Sequence, residues 1–364
     1  MSHFQTVDKS REQIRANTAR ELASYYSEMS TPAPEEKFSL ARMLNAMAES
    51  NFREGGSYEA NVVQAATLSQ GSVFDPQRAI VPWGALMSRD LTVGTAAAGG
   101  RLVGAKMSSA VDALRPFSAA ARLGVTFVEN QMQDLGLPTV SQAVTGQWLA
   151  NEAQQIVQSD AVIGLSNSKP KTAGAVMKAS FNFMRNSAQA DSFIRTQLLG
   201  AMANMLDGAV FSGTGADGQP AGTMYAAGIG EATGSFAYQN ALAMESAVAS
   251  PGGDPAGVQF VASPNMRSLL KQFWYAQGAQ TLWYRDAVVD VPATVSPFVT
   301  ADTLLLGNWP LCQVILWGSG VQIEVDPYTS FKTGAVQVRV LMYADVQFLQ
   351  PAAFFRWKNL DLTF

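Results

Sequence analysis

The stretch SFIRTQLLGAMANMLDGAVF, behind Asp191, constrains this chain more than any other. Ile194, Leu198, Ala201, Met205 and Ala209 fall on one helical stripe, and Phe193, Leu199, Met202 and Leu206 make the far side apolar as well. About 20 residues of helix reach ~30 Å, with Asp191 placed to act as N-cap. A helix apolar nearly all round has to be covered on most sides, so the fold is expected to build around it as a spine. Composition points the same way. Hydrophobic residues make up 48% of the 364 and charged residues 15%, against roughly 25% in an average soluble protein. Such a chain has either a large core or an extensive subunit interface, since interface cores are depleted of charge. Its length allows one large domain or two to three interleaved ones.

Directly after this helix, FSGTGADGQPAG places Gly213, Gly215 and Gly218 in the spacing G-x-G-x-x-G. A dinucleotide site needs a strand running into such glycines and a helix leaving them. Here a helix precedes them, and Gln219-Pro220 interrupts any helix that would follow. Gly213 and Gly215 therefore read as a helix C-cap and turn. A dinucleotide-binding oxidoreductase resting on Gly213, Gly215 and Gly218 is kept only as a remote alternative.

The sole histidine is His3 and the sole cysteine Cys312. No Ser-His-Asp or Cys-His arrangement can be assembled, and no His/Cys cluster can hold zinc. Cys312 lies in LCQVILW, a strand-like apolar run that suits a buried, inert thiol. Glu324 and Asp326 are two apart, which alternation explains as the wet face of a strand. No catalytic, cofactor-binding or metal residue and no cofactor are expected. Lys and Arg number 25 against 29 acidic residues, with no dense basic cluster. That argues against sequence-reading nucleic-acid binding but not against enclosing nucleic acid. No apolar run approaches the ~20 residues of a membrane span, and MSHFQTVDKS lacks the apolar core of a secretion signal. The chain reads as cytoplasmic.

Along the chain, residues 1–66 read as helix broken at Pro32 and Pro34. In the second piece Leu40, Met43, Leu44, Met47 and Ala48 form one apolar stripe, with Glu35 and Glu36 in the first turn. Residues 67–105 have the glycine, proline and short apolar runs of an extended arm. Globular patterning begins at Met107, with a short helix ended by Pro116. A hairpin is expected from Trp148 to Phe183. Its return strand alternates Met177, Ala179, Phe181 and Phe183 against Lys178, Ser180 and Asn182, and its tip is Ser166–Lys171. Arms of about ten residues would reach ~30 Å, far enough to need another subunit. VQFVASPNMRSLL reads as a strand followed by a helix with Ser263 as N-cap and Pro264 first in the helix. VQIEVD and AVQVRVLM alternate with period two. Helices and strands fall in separate blocks with no internal repeat, so the class is α+β.

Taken in order, these blocks resemble the major capsid proteins of tailed phages, with the Hong Kong 97-like fold. The matching pieces are RDLTVGTAAAGG, ALRPFSAAARLG, QWLANEAQQIVQSD, SKPKTAG, NSAQADSFIRTQLLGAMANMLDGAVFSGTGADGQPAG, FVASPNMRSLL, LLLGNWP and PAAFFRW. Each is chemically bland, and the order and spacing carry the resemblance. It implies an N-terminal helical scaffold-like region (1–66) and an extended N-arm (67–106). It implies a peripheral domain (107–235 and 321–350) bearing the E-loop (148–183) and the spine helix. The remainder, 236–320 and 351–364, becomes an axial domain that gathers around five-fold and six-fold axes.

The function implied is a non-enzymatic major capsid (head) protein. It would self-assemble as hexamers and pentamers into an icosahedral shell around double-stranded DNA, without sequence-specific binding. The implied partners are other copies of itself, a portal, and a scaffold, maturation protease or decoration proteins. Its place is the virion, assembled in the host bacterial cytoplasm, with no membrane. An encapsulin-like nanocompartment shell is the alternative. Some family members cross-link an E-loop lysine to a peripheral-domain asparagine. Lys169 and Lys171 lie at the expected tip, but MYADVQFLQ holds no asparagine, so no covalent shell is expected. The stripe Leu40, Met43, Leu44 and Met47 would cost roughly 1.5–3 kcal/mol per large side chain if left in water. The N-terminal segment is therefore expected to be retained and to dock on the shell's inner face or against symmetry mates.

Overall fold

The computed structural model describes residues 38–87, 109–142, 162–185, 187–249, 257–274, 280–330 and 333–361. Its strands are β1 (Arg78–Pro82), β2 (Thr126–Gln131), β3 (Leu135–Gln142), β4 (Val162–Ser168), β5 (Lys171–Ser180), β6 (Gly230–Ser235) and β7 (Val258–Ala262), followed by β8 (Trp283–Tyr284), β9 (Ala287–Val288), β10 (Val291–Val295), β11 (Leu304–Asn308), β12 (Cys312–Asp326), β13 (Ala335–Phe348) and β14 (Phe354–Asp361). They form a five-stranded sheet in the order β1-β12-β13-β5, with β2 also on β12. A seven-stranded sheet runs β6-β14-β11-β7-β10-β9-β8, and β3 and β4 make a two-stranded ribbon. Helices and sheets in separate blocks make an α+β fold.

Each large sheet has its own core. The long helix Ser187–Ser212 shares one with the five-stranded sheet. There Ile194, Leu198, Met202, Leu206 and Val210 are buried together with Val336, Val338, Val340 and Met342 of β13. The alternation of AVQVRVLM puts its valines inward, as period two requires. The second core joins the seven-stranded sheet to the helices Tyr238–Ala249 and Pro264–Gln272. Edge-to-face rings of the first core link the two sheets: Phe211 to Trp309 at 5.5 Å, Trp309 to Phe354 of β14 at 5.6 Å and Phe354 to Phe348 of β13 at 5.0 Å. Gly307 permits this approach, because a Cβ there would stand 2.2 Å from the Phe354 ring.

Several expectations need correction. The helix Leu40–Ala48 starts after Ser39, whose hydroxyl accepts from Arg42 N–H, and its first turn holds no acidic residue, while Glu35 and Glu36 lie outside the described residues. Its stripe does not wait for a shell wall. Leu40, Met43, Leu44 and Met47 are buried in the subunit's own core, where the helix packs on the spine. A further helix, Tyr58–Ser69, crosses the expected boundary at 66, and β1 joins the main sheet where an extended arm was expected. The hairpin of Trp148–Phe183 is not formed as drawn. β5 pairs with β13 from Lys171↔Ala344 to Ser180↔Ala335, and β4 pairs with β3. Ser166–Lys171 is thus the root of a ribbon. The backbone then turns helical at Phe181, so Phe183 leaves the strand pattern and meets Phe193 edge-to-face at 5.5 Å. Trp148 lies outside the described residues, as do His3, Pro32 and Pro34. The spine helix begins at Ser187, which puts Asp191 inside it. Its first half leaves Ser192, Phe193, Thr196 and Gln197 exposed, whereas from Gly200 to Ser212 only Asn204 is exposed, so the expected cover on most sides holds for the second half.

Candidate functional site

Two acidic residues of the spine helix hold other helices in place. Asp191 accepts from Ser39 Oγ (3.2 Å) and Ala41 N–H (3.0 Å), at the start of the helix Leu40–Ala48. It is a cap, but of a helix some 150 residues away. One turn on, Arg195 donates through Nε to Asp191 at 2.6 Å, through Nη2 to the Phe38 carbonyl at 2.6 Å, and through Nη1 to the Ala85 carbonyl. A single guanidinium therefore ties the N-terminal segment, the turn after β1 and the spine together. Asp207 does the same for the helix Ala119–Arg122, and burial pushes its carboxyl above the usual carboxylate range. Glu129 of β2 accepts from Ala110 N–H at 2.7 Å, and burial raises its carboxyl as well.

At the root of the β3–β4 ribbon the connection is again polar. Asp345 of β13, 2% exposed, accepts from Ser168 Oγ (2.7 Å), Lys171 Nζ (2.9 Å), Val346 N–H (2.9 Å) and Gln347 Nε2 (3.1 Å). Ser166 Oγ donates to Gln347 Oε1 at 2.6 Å. The ribbon is thereby pinned to the main sheet just where β4 hands over to β5. Lys171, expected at a free tip, is committed to this pair, while Lys169 is exposed. Asp345 sits in MYADVQFLQ, and no sequence rule singled it out. Its only signal was a charge inside an alternating strand.

Close by, β12 bulges between Trp317 and Gln322, with Gly318 at φ 85°. The bulge opens a groove of about 300 Å³ between Trp317, Tyr343, Met132 and Pro170, rimmed by the amides of Gln70, Gln131 and Gln322. Its polar groups are mostly spoken for, as Gln70 donates to Ser319 Oγ and Gln322 to Glu324.

The glycine-rich loop closes on itself. Gly222 N–H donates to the Gly213 carbonyl (2.8 Å), Gly215 N–H to Pro220 (3.1 Å) and Gln219 N–H to Ala216 (2.9 Å). Gly215 and Gly218 both take φ of 74°. A Cβ on Gly213 would lie 2.3 Å from the Pro220 carbonyl oxygen. The glycines serve a tight turn after a helix, and the loop's N–H groups point into the turn rather than out at a phosphate. Cys312 is fully buried, and that burial pushes its thiol far up. Glu324 is partly buried, but bonds from Arg339 and Gln322, with the nearby charges of Arg339 and Arg78, outweigh the burial and lower its carboxyl. Asp326 accepts from Thr329 Oγ1 and from the backbone of Tyr328 and Thr329, bonds that hold its carboxyl low. The two carboxylates have separate structural partners. Among the described residues, no group of three His, Cys, Asp or Glu is placed to hold a metal. The residues described here join segments of chain, an arrangement that can position and lock them.

Comparisons with known proteins point to one family. The sequence model described as the phage capsid family matches residues 115–358. A major capsid protein of Halomonas phage phiHAP-1 is 28% identical over 328 residues, covering 87% of this chain and 54% of that protein. The chain thus spans about half the length of that relative. Among solved structures, the capsid of an empty GTA particle superposes with a TM-score of 0.53 at 17% identity, over 74% of this chain and 100% of that one. A chain of Mycobacterium phage Adephagia gives 0.50 at 13% identity, over 68% and 91%. These similarities show a shared fold.

Proposed function

Because this chain belongs to the phage capsid family, we propose that it is the major head protein of a tailed double-stranded DNA phage or prophage, a structural subunit and not an enzyme. Copies assemble as hexamers and pentamers into a closed icosahedral shell in the host cytoplasm and remain part of the virion. Family membership over residues 115–358 carries this reading, because that span takes in the spine helix, most strands of both large sheets and the rings that link the sheets. The five-stranded sheet, the spine helix and the β3–β4 ribbon serve as the peripheral domain. β12 lies wholly in that sheet, which supports drawing the boundary at 312 instead of 321, with the seven-stranded sheet as the axial domain. A portal, scaffold or protease would be partners of the particle, and DNA is enclosed without sequence preference. With net charge −4 the wall has little means of gripping phosphates. Electron microscopy of the expressed chain, with any scaffold supplied, tests the proposal. Closed shells of five- and six-fold capsomers are expected, and a chain that stays monomeric at all salts sinks it. Particles loaded with protein in place of DNA would point to a nanocompartment.

A further inference from the structure

The five-stranded sheet ends at β5, and among the described residues no strand pairs with its other edge. Exposed edges are normally protected by proline, by bulges, by inward charges or by brevity. β5 has no proline, bulge or shortness to protect it, being 10 residues long and in unbroken register with β13, and its charges are two lysines, Lys171 and Lys178. Lys171 is turned onto Asp345, which leaves Lys178 as its one free charge. Thr172, Gly174, Val176, Lys178 and Ser180 all face out, and Val176 is 62% exposed.

We propose that β5 is an assembly edge that pairs antiparallel with β5 of a second copy of this chain, about a two-fold axis at Val176. An open ladder of backbone N–H and C=O groups asks for another strand, and the outward residues say which one. A two-fold axis normal to the sheet keeps outward residues opposite outward residues, so each possible register centres on a residue facing itself. Centred on Val176, the pairs are Val176 with Val176, Lys178 with Gly174, and Thr172 with Ser180. Apolar meets apolar, the long lysine stem crosses a position with no side chain, and two hydroxyls face each other. Centring on Lys178 sets two like charges opposite, and centring on Gly174 leaves each Val176 against Thr172. Centring on the inward-facing Ala175 or Met177 sets Val176 against Gly174 or Lys178, so on the outward face only the Val176 centre pairs apolar with apolar. Gly174 also sits close beneath its neighbour on β13, where a Cβ would stand 2.8 Å from Leu341 Cδ2. The proposal deepens the capsid reading by naming one contact between copies.

Cysteine cross-linking of the full-length chain tests it, and buried Cys312 does not interfere. Under mild oxidation, Val176→Cys is expected to move most of the chain to twice its subunit mass on a non-reducing gel. Lys178→Cys is expected to give no such band, because its mate would lie four residues along, about 13 Å away. Particles built from Val176→Cys chains without the covalent dimer would overturn the edge pairing and leave the capsid reading standing. Cross-linking by Lys178→Cys as good as that by Val176→Cys would overturn the register and with it the proposal. Cross-linked Val176→Cys dimers from a chain that never forms particles would support the pairing and refute the capsid reading.

Discussion

Asp207, on the spine helix, accepts a 2.5 Å hydrogen bond from the Ser118 hydroxyl, 89 positions earlier in the chain. Ser118 Oγ itself accepts from Ala121 N–H, while the carboxylate takes Ala119 N–H at 2.7 Å and Ala120 N–H at 3.0 Å. The whole first turn of a helix only four residues long is therefore satisfied by one serine and one distant aspartate. Burial raises the Asp207 carboxyl in spite of these bonds. A carboxyl whose folded-state pKa is raised binds its proton more tightly when folded. Its contribution is therefore greatest at acid pH and declines as pH rises from ~4 through the folded value. Asp207→Asn removes that dependence. Urea unfolding should show the wild type's advantage over this variant shrinking as pH rises from about 4. An advantage that grows with pH would contradict the assignment.

Leu44 is fully buried between the helix Leu40–Ala48 and the rest of the main core. Leu44→Ala should cost about 2–5 kcal/mol of unfolding free energy. Changing Leu40, Leu44 and Met47 together to aspartate should unfold the subunit rather than merely spoil assembly. Circular dichroism of the isolated chain decides this, and a folded triple variant would mean that the segment is dispensable.

Asp345 holds the ribbon through Ser168 and Lys171. Asp345→Ala strands a buried hydroxyl and an ammonium, and should cost about 3 kcal/mol. Hydrogen exchange should then speed up in β4 before it does in β13. Uniform exchange throughout the main sheet would argue that Asp345 serves only general stability.

Gly213 and Gly218 share one motif and should respond differently. Gly213→Ala drives a methyl group onto the Pro220 and Ala209 carbonyls and is expected to prevent correct folding of the turn. Gly218 has open space around it and only its φ of 74° to satisfy, so Gly218→Ala should cost about 1–2 kcal/mol. Equal thermal shifts in the two variants would show that close packing is not what the motif serves.

Local physics made part of this protein readable from its residues alone. Ser263 accepts from Met266 N–H at 3.0 Å with Pro264 in the first turn, and that geometry is written within four residues. The valines of AVQVRVLM point inward because strand side chains alternate, and the Gly213–Gly222 loop turns because no helix can pass Pro220. The same holds for the apolar stripe of Leu40 to Met47, which says that a face must be covered. What covers it was decided only in three dimensions. The stripe met its own spine helix, β5 chose β13 over its sequence neighbour β4, and Asp191 capped a helix some 150 residues before it. Each of these is a long-range pairing. A short stretch of sequence carries a hydrogen-bonding need or an apolar face but no address, and only the closing of the cores brings one partner rather than another within 3 Å.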